Sequence, residues 1–164
     1  MFFRRKKSIP DGLWKRCDGC KSVVYNKQVE EKQNVCPECN YHFRVSTRER
    51  IKITLDEDSF EEYWNDMVPA DPLNFKDRIK YTDRIASEQK KTNLNEAATV
   101  GKGLIEGKAV VFGVTDSTFI MGSMGSVVGE KITRAAEKAQ ELWLPLIIVS
   151  GSGEEQECPW EPYP

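Results

Sequence analysis

The sequence predicts an α/β protein with a small metal-held ribbon at its N-terminal end. Three observations predict it. Cys17, Cys20, Cys36 and Cys39 form two C-x2-C pairs with fifteen residues between them. Residues 98–105 and 108–116 alternate with period two on either side of Glu106-Gly107. A glycine- and serine-rich loop over residues 121–131 then leads into a segment of helical spacing and on to the apolar run Leu146–Ser150. Hairpin, loop, helix and strand in that order make an α/β layer with one crossover.

A chain of 164 residues suits one ordinary domain, or a small module with a modest domain behind it. With 39% hydrophobic and 30% charged residues it can bury a core and stay in water. No apolar run approaches the roughly 18 residues of a membrane helix. The opening MFFRRKK lacks the apolar stretch and cleavage site of a signal peptide, so the expected location is the cytoplasm. Charge is uneven. Residues 1–53 hold 13 Lys and Arg against 6 Asp and Glu, whereas residues 54–164 hold 11 against 20. A basic front suits nucleic acid or an acidic partner surface, and equally a solvated basic face.

The four cysteines read as metal ligands rather than disulfides at this spacing in a cytosolic chain. Each C-x2-C makes a tight turn that offers two sulfurs to one ion, and two turns complete a tetrahedron. Zinc favours such a closed thiolate set, which leaves no open position for catalysis. Gly19 and Pro37 sit inside the two knuckles as turn residues should. A red iron site is the competing occupant. Val23–Tyr25 and Tyr41–Phe43 are the expected ribbon strands. His42, the only histidine, is expected to be a strand residue rather than a spare ligand, and its solitude excludes His-based triads and relays. Cys158, the fifth cysteine, is not expected to be a ligand.

Further along, Thr47 is the expected cap of a short helix carrying Ile51 and Leu55. Ser59 with Glu62 reads as a capping box for a second helical turn. Asp56–Asp58 reads as an acidic, solvated junction, with a domain boundary near residues 45–56. Residues 68–80, with Pro69 and Pro72, read as irregular. A helix is predicted from Thr82 or Asp83 to about Lys91. Strands follow over Ala98–Ile105 and Lys108–Asp116, joined by a hairpin turn, with a third short strand at Phe119–Met121. A helix over about Val127–Leu142 presents Ile132, Ala135, Ala136 and Ala139 on one face, and Leu146–Ser150 reads as a buried parallel strand.

The loop between the third strand and the last helix offers bare backbone N–H groups to a phosphate or an oxyanion. It is neither a P-loop nor G-x-G-x-x-G, because Lys131 is followed by Ile132, and a tight structural turn explains its spacing equally well. Four segments in order are more specific: Gly12-Leu13-Trp14-x-x-Cys17-x-x-Cys20, Cys36-Pro-x-Cys39-x-Tyr41-His42-Phe43-Arg44, Phe119-x-Met121-Gly-Ser-Met-Gly-Ser-Val-Val-Gly-Glu-Lys131, and Pro145-Leu-Ile-Ile-Val-Ser150. Together, over about residues 10–153, they resemble the beta subunit of bacterial acetyl-CoA carboxylase carboxyltransferase. The resemblance implies a structural zinc ribbon over 1–45, a helical connection over 46–80 and the first part of a crotonase-like domain over 81–153. It implies carboxyl transfer from carboxybiotin to acetyl-CoA, giving malonyl-CoA for fatty-acid synthesis. The partners it implies are an alpha subunit in an alpha2-beta2 assembly, a biotin carboxylase and a biotin carboxyl carrier protein. By analogy with that fold, Gly122, Ser123 and Gly125 are the expected backbone oxyanion donors. The alternative function is a zinc-ribbon binding module for nucleic acid or an acidic protein.

The resemblance stops near residue 153. The family continues with Gly-Gly-Ala-Arg-Met, whereas residues 154–164 form an acidic, proline-containing tail without periodicity. Codons GGG GAG GAG CAA GAA TGC for Gly153–Cys158, read one base earlier, encode that family continuation. The tail is therefore expected to be a frameshift product and the chain a truncated beta subunit, inactive by itself, with one face of its last strand uncovered. Resequencing the gene checks this. A frame that yields no carboxyltransferase continuation in any register defeats it.

Overall fold

A computed structural model describes residues 12–122 and 125–151. They fall into two compact units that divide between Val45 and Ser46.

The first unit is the ribbon. Strands β1 (Trp14–Arg16) and β2 (Val23–Tyr25) pair antiparallel, with Lys15 opposite Val24. A six-residue helix, α1 (Asn26–Glu31), follows directly, which the sequence reading did not anticipate. The expected strand at Tyr41–Phe43 reduces to one antiparallel bridge, Val35 with His42. The reason is local. Cys36 N–H meets the Tyr41 carbonyl at 2.8 Å and Phe43 N–H meets the Asn34 carbonyl at 2.9 Å, and the chain leaves before a longer ladder forms. Among the described residues, Cys17, Val24, Val29, Cys36 and Phe43 form the buried core. Five side chains are too few to hold a fold of this size without a cross-link or a metal.

The second unit is a four-stranded sheet in the order β3-β4-β5-β6 with helices on both faces. Strands β4 (Ala98–Ile105) and β5 (Lys108–Thr115) form its centre, antiparallel through eight residue pairs. Glu106 and Gly107 both have positive φ, 49° and 74°, as a two-residue hairpin requires. Asp56 caps that turn: its carboxylate accepts the Glu106 and Gly107 N–H groups at 3.0 and 2.8 Å. The acidic run is thus a hairpin cap at its first residue and not merely a solvated junction.

Helix α2 (Thr47–Thr54) is capped by Ser46, one residue earlier than expected, in a reciprocal capping box with Glu49. The capping box read at Ser59 and Glu62 does not form. Residues Glu61–Tyr63 are instead edge strand β3, antiparallel to β4. Ser59 Oγ accepts the Leu104 N–H and donates to the Asp56 carbonyl, so the hydroxyl serves the sheet rather than a helix.

Helix α3 (Tyr81–Thr92) precedes β4. Helix α4 (Ser126–Leu142) crosses one face of the sheet and leads to β6 (Leu146–Val149), parallel to β5. Ala135 and Ala139 of α4 pack on Val100 and Val111, while Ile51 of α2 and Leu55, which ends that helix, pack on Val110, Phe112 and Val114 from the other side. Ala136, expected on the packed face, is exposed. The inward stripe runs instead through Val128, Lys131, Ala135 and Ala139. Gly113 of β5 makes room for β6, since a Cβ there would lie 2.6 Å from Ile148 Cδ1. The third short strand expected at Phe119–Met121 is a tight turn at Ile120–Gly122 with left-handed residues.

One buried carboxylate ties α2 to the end of β5. Asp116 Oδ2 accepts the Thr47 N–H and hydroxyl at 3.0 and 2.9 Å, and Oδ1 accepts those of Thr118 at 2.9 and 2.6 Å. Burial alone raises a carboxyl's pKa, but these four hydrogen bonds outweigh it and hold Asp116 below the usual carboxylate range. A depressed folded pKa stabilises the fold above the unfolded value, near 3.9, and that stability is lost as pH falls through the folded value. Asp116→Ala is expected to cost about 2–4 kcal/mol at neutral pH, because it leaves buried donors without an acceptor. Urea unfolding of both chains should show the gap narrowing as the pH is taken below about 4.

Candidate functional site

The four cysteines predicted as ligands meet at one point. Their sulfurs lie within 4.8 Å of one another, with Cys17 Sγ 3.6 Å from Cys39 Sγ and Cys20 Sγ 4.0 Å from Cys36 Sγ. A tetrahedron of sulfurs about 2.3 Å from zinc has edges of about 3.8 Å, so the set fits that ion. The knuckles bring this about. Lys21 N–H returns to the Cys17 carbonyl at 2.9 Å and Asn40 N–H to the Cys36 carbonyl at 3.1 Å, each closing a turn around two thiols. Lys21 and Asn40 take positive φ to do so, 64° and 59°. Cys17 and Cys36 are fully buried, while Cys20 and Cys39 face solvent. His42 is exposed, pairs with Val35 in a single bridge, and is not among the four clustered residues.

The thiols themselves differ. Hydrogen bonds from the Ser22 side chain and backbone bring Cys20 down to about 6. The Tyr41 backbone works in the same direction on Cys39, but desolvation and the sulfurs of Cys20, Cys17 and Cys36 outweigh it and push that thiol up to about 11. Four adjacent thiols resist full ionisation for want of counter-charge, which a divalent cation supplies.

The ribbon's charge is less basic than the front of the sequence. Residues 12–45 hold six Lys and Arg against four Asp and Glu. A zinc ion in four thiolates adds a net charge of about −2, which cancels that excess.

In the second unit the predicted loop lies beside a cavity of about 450 Å³. Tyr81, Ile85, Phe119 and Ile120 give it apolar walls, Arg84 and Glu96 add charge, and Gly125 and Ser126 bring the start of α4 to it. Gly125 is the N-cap of α4 and no side chain caps the helix there. The first N–H groups of a helix have no intrahelical acceptor, so this end favours negative charge. Gly122 is buried with φ of 75°, and its own N–H donates to the Phe119 carbonyl at 2.9 Å. Ser123 lies outside the described residues. Ile120 and Met121 are also left-handed, at 45° and 57°. A β-branched residue in that region is strained, as is common at ligand-binding turns.

The sequence reading missed two buried charges nearby. Lys131 is 2% exposed and its Nζ donates to the Ala98 carbonyl at 2.9 Å. Burial lowers its pKa, opposed by Glu62, Glu96 and Asp66. Glu96 is 6% exposed, and burial raises its pKa against the Ala97 N–H and Lys131. A signal for Lys131 was present: it falls three residues after Val128 and four before Ala135, on the inward stripe of α4.

Ribbon and sheet together define a zinc-ribbon protein with an α/β unit behind the ribbon. The carboxyl transferase domain family matches residues 44–158 and the acetyl-CoA carboxylase zinc finger domain family matches residues 14–39. The chain belongs to the carboxyl transferase domain family. It is 49% identical over 91% of its length to an acetyl-coenzyme A carboxylase carboxyl transferase subunit beta of Rhodopirellula baltica, covering 48% of that relative. It is 51% identical over 90% of its length to the subunit of the same name from Desulforamulus reducens, covering 50% of it. The chain thus spans about half the length of the curated relatives it matches. Among solved structures, the transcarboxylase 12S core matches 77% of this chain and 20% of that chain, with a TM-score of 0.52 at 22% identity. A single-chain, multi-domain long-chain acyl-CoA carboxylase matches 70% of this chain and 12% of that one, with a TM-score of 0.54 at 21% identity. The fold is a four-cysteine zinc ribbon followed by the first part of a crotonase-like domain. No helix among the described residues is long and apolar enough to cross a membrane.

The purified chain is expected to carry one zinc and to be colourless; a red protein would mean iron. Cys36→Ser should abolish the zinc and unfold the ribbon, since binding of a structural zinc amounts to about 10–16 kcal/mol of folding free energy. Metal analysis and near-UV circular dichroism check both outcomes.

Proposed function

We propose that this chain is the zinc-bearing part of a beta subunit of acetyl-CoA carboxylase carboxyltransferase. In that role it serves the transfer of a carboxyl group from carboxybiotin on a carrier protein to acetyl-CoA, forming malonyl-CoA for fatty-acid synthesis. The observation that carries the reading is the extent of the likeness, near 50% identity along nine-tenths of the chain to subunits of that name.

The chemistry fits the second unit. The acetyl methyl must lose a proton, which biotin takes once it has released carbon dioxide, and the thioester oxygen then carries the enolate's charge. Backbone N–H groups held in place stabilise such an oxyanion without reorganising during reaction. The uncapped start of α4 at Gly125 and Ser126 has that character, and the apolar walls beside it exclude water from the carbanion. Gly122 takes the second place, because its N–H is already bonded to Phe119. Arg84 at the cavity suits an anionic group of the coenzyme. An alpha subunit in an alpha2-beta2 assembly, a biotin carboxylase and the carrier protein are the partners this role requires. Zinc in this reading holds the ribbon and takes no part in the reaction.

Gly125 sits at φ of −75°, which any residue adopts, and a Cβ there first meets the Tyr81 hydroxyl at 4.0 Å. Gly125→Val therefore places methyl groups at the cavity without straining the backbone. In a complex reconstituted with the alpha subunit and the remainder of the beta subunit, carboxyl transfer should fall by about 100-fold or more, with zinc content unchanged. Full activity of that variant would remove the loop from the mechanism.

A further inference from the structure

Glu96 and Lys131 meet at a second cavity, of about 390 Å³, beside the start of β4. Both side chains are more than nine-tenths buried. An ammonium has three N–H donors, and Lys131 uses one of them on the Ala98 carbonyl. Glu96 Oε1 accepts the Ala97 N–H at 2.7 Å, and Oε2 has no hydrogen-bond partner among the described residues. The carboxylates of Glu62, Glu96 and Asp66 favour the charged form of Lys131. Yet among the described residues none of them forms an ion pair with it. Buried charges are costly unless satisfied. A buried ammonium and a buried carboxylate that attract without touching leave a gap suited to a group that accepts from one and donates to the other.

The rest of the cavity is polar and balanced in charge. Arg48 and Lys131 bring two positive charges, and Glu62 and Glu96 bring two negative ones. A phosphate or carboxylate ligand would meet the glutamates, and a cation would meet Lys131 and Arg48. An uncharged ligand escapes both penalties. Thr99, Asn93 and Asn95 add donors and acceptors, while Phe60 and Leu94 add an apolar wall. The rim is held in advance: Asn95 Nδ2 donates to the Asn65 carbonyl at 2.7 Å, and the Asn95 carbonyl accepts from Gln89 Nε2 at 3.0 Å. Such bracing lowers the entropy lost on binding. The volume lies within the ~300–1,000 Å³ of small-molecule sites.

We propose that this cavity binds an uncharged monosaccharide, one of whose hydroxyls accepts from Lys131 Nζ and donates to Glu96 Oε2. A hydroxyl does both at a single atom. Neighbouring hydroxyls on the same ring suit Asn93, Asn95 and Thr99, and the C–H face of the ring suits Phe60 and Leu94. Water also bridges such charges, but it gains nothing from an apolar wall.

The experiment titrates the purified full chain with D-glucose and with D-ribose, read by saturation-transfer NMR of the sugar protons. Saturable binding of at least one is expected, and the two arms separate a six-carbon from a five-carbon ligand. Glucose 6-phosphate should bind more weakly than glucose. Glu96→Gln keeps the size of the side chain and removes its charge, and should weaken binding about tenfold. Asn93 ends α3 with φ of 57°, a position that glycine fills equally well, so Asn93→Gly removes the amide without straining the backbone. That variant should weaken binding about threefold or more. Lys138→Ala, farther along α4 and outside the lining of this cavity, should leave it unchanged. Zinc content and far-UV circular dichroism establish that each variant is folded, and Asn93→Gly keeps the test decisive if Glu96→Gln misfolds. No saturable binding of either sugar, which would leave water as the occupant, overturns the proposal. So does glucose 6-phosphate binding as tightly as glucose, or binding unchanged in either folded variant of the site. Carboxyl transfer is not the readout, so failure of the proposed reaction leaves this result standing.

Discussion

The pairing of β4 with β5 is the constraint on which the second unit depends. Eight residue pairs in unbroken antiparallel register fix which side chains face α4 and which face α2. A slip of one residue would turn Val100 and Val111 away from Ala135 and Ala139, and Phe112 away from Leu55. The register is set at the turn, where Glu106 and Gly107 take left-handed conformations and Asp56 accepts both their N–H groups. Strand β3 then attaches to β4 and β6 to β5, so each outer strand inherits its register from this hairpin.

The ribbon depends on something else. Among the described residues its buried core is five side chains, two of them metal-binding cysteines, so its hydrophobic and coordination chemistry cannot be separated. Around that core the side chains form local pairs: Lys15 lies 4.2 Å above the Phe43 ring, and the Trp14 and Tyr25 rings meet at a tilt, 5.4 Å between centroids. Such contacts orient the strands, but each contributes about a kilocalorie per mole, an order of magnitude less than a structural zinc. The two units therefore respond differently. Chelators act on the ribbon alone, whereas acid acts on the second unit through Asp116 and on the ribbon by protonating its metal-binding sulfurs.

Asp116 also links fold to site. It stands between the end of β5 and the turn that carries Gly122, and its carboxylate fixes Thr118 and the start of α2 together. The left-handed turn at Ile120–Gly122 begins two residues beyond Thr118. Strain in that turn persists because both its ends are held: by Asp116 before it and by α4, packed on the sheet, after it. On the inner face of α4, Lys131 is locked to the Ala98 carbonyl at the start of β4. That contact fixes α4 against the sheet about one turn and a half beyond its start.

Much of this was legible in the sequence. Metal ligation follows from spacing alone, because two C-x2-C turns need no distant contact to aim their sulfurs, and the structure brings all four together. The β4–β5 hairpin follows from alternation and a two-residue turn, both local signals. Helix α4 follows from its period, although one alanine on its expected face proved exposed. The errors share a cause. Ser59 and Glu62 satisfy a local capping pattern, yet the free N–H of Leu104, forty-five residues away, claims the serine hydroxyl and β4 claims the backbone. Asp56 looks solvated until a turn fifty residues on supplies its donors. Lys131 and Glu96 carry charges that a sequence places on the surface, and only the packed sheet shows them inside. The sequence by itself determined the ion site, the central hairpin and the family. The tertiary structure decided which polar groups pair across long separations and which charges lie inside, because each of these depends on groups distant in the chain meeting in space.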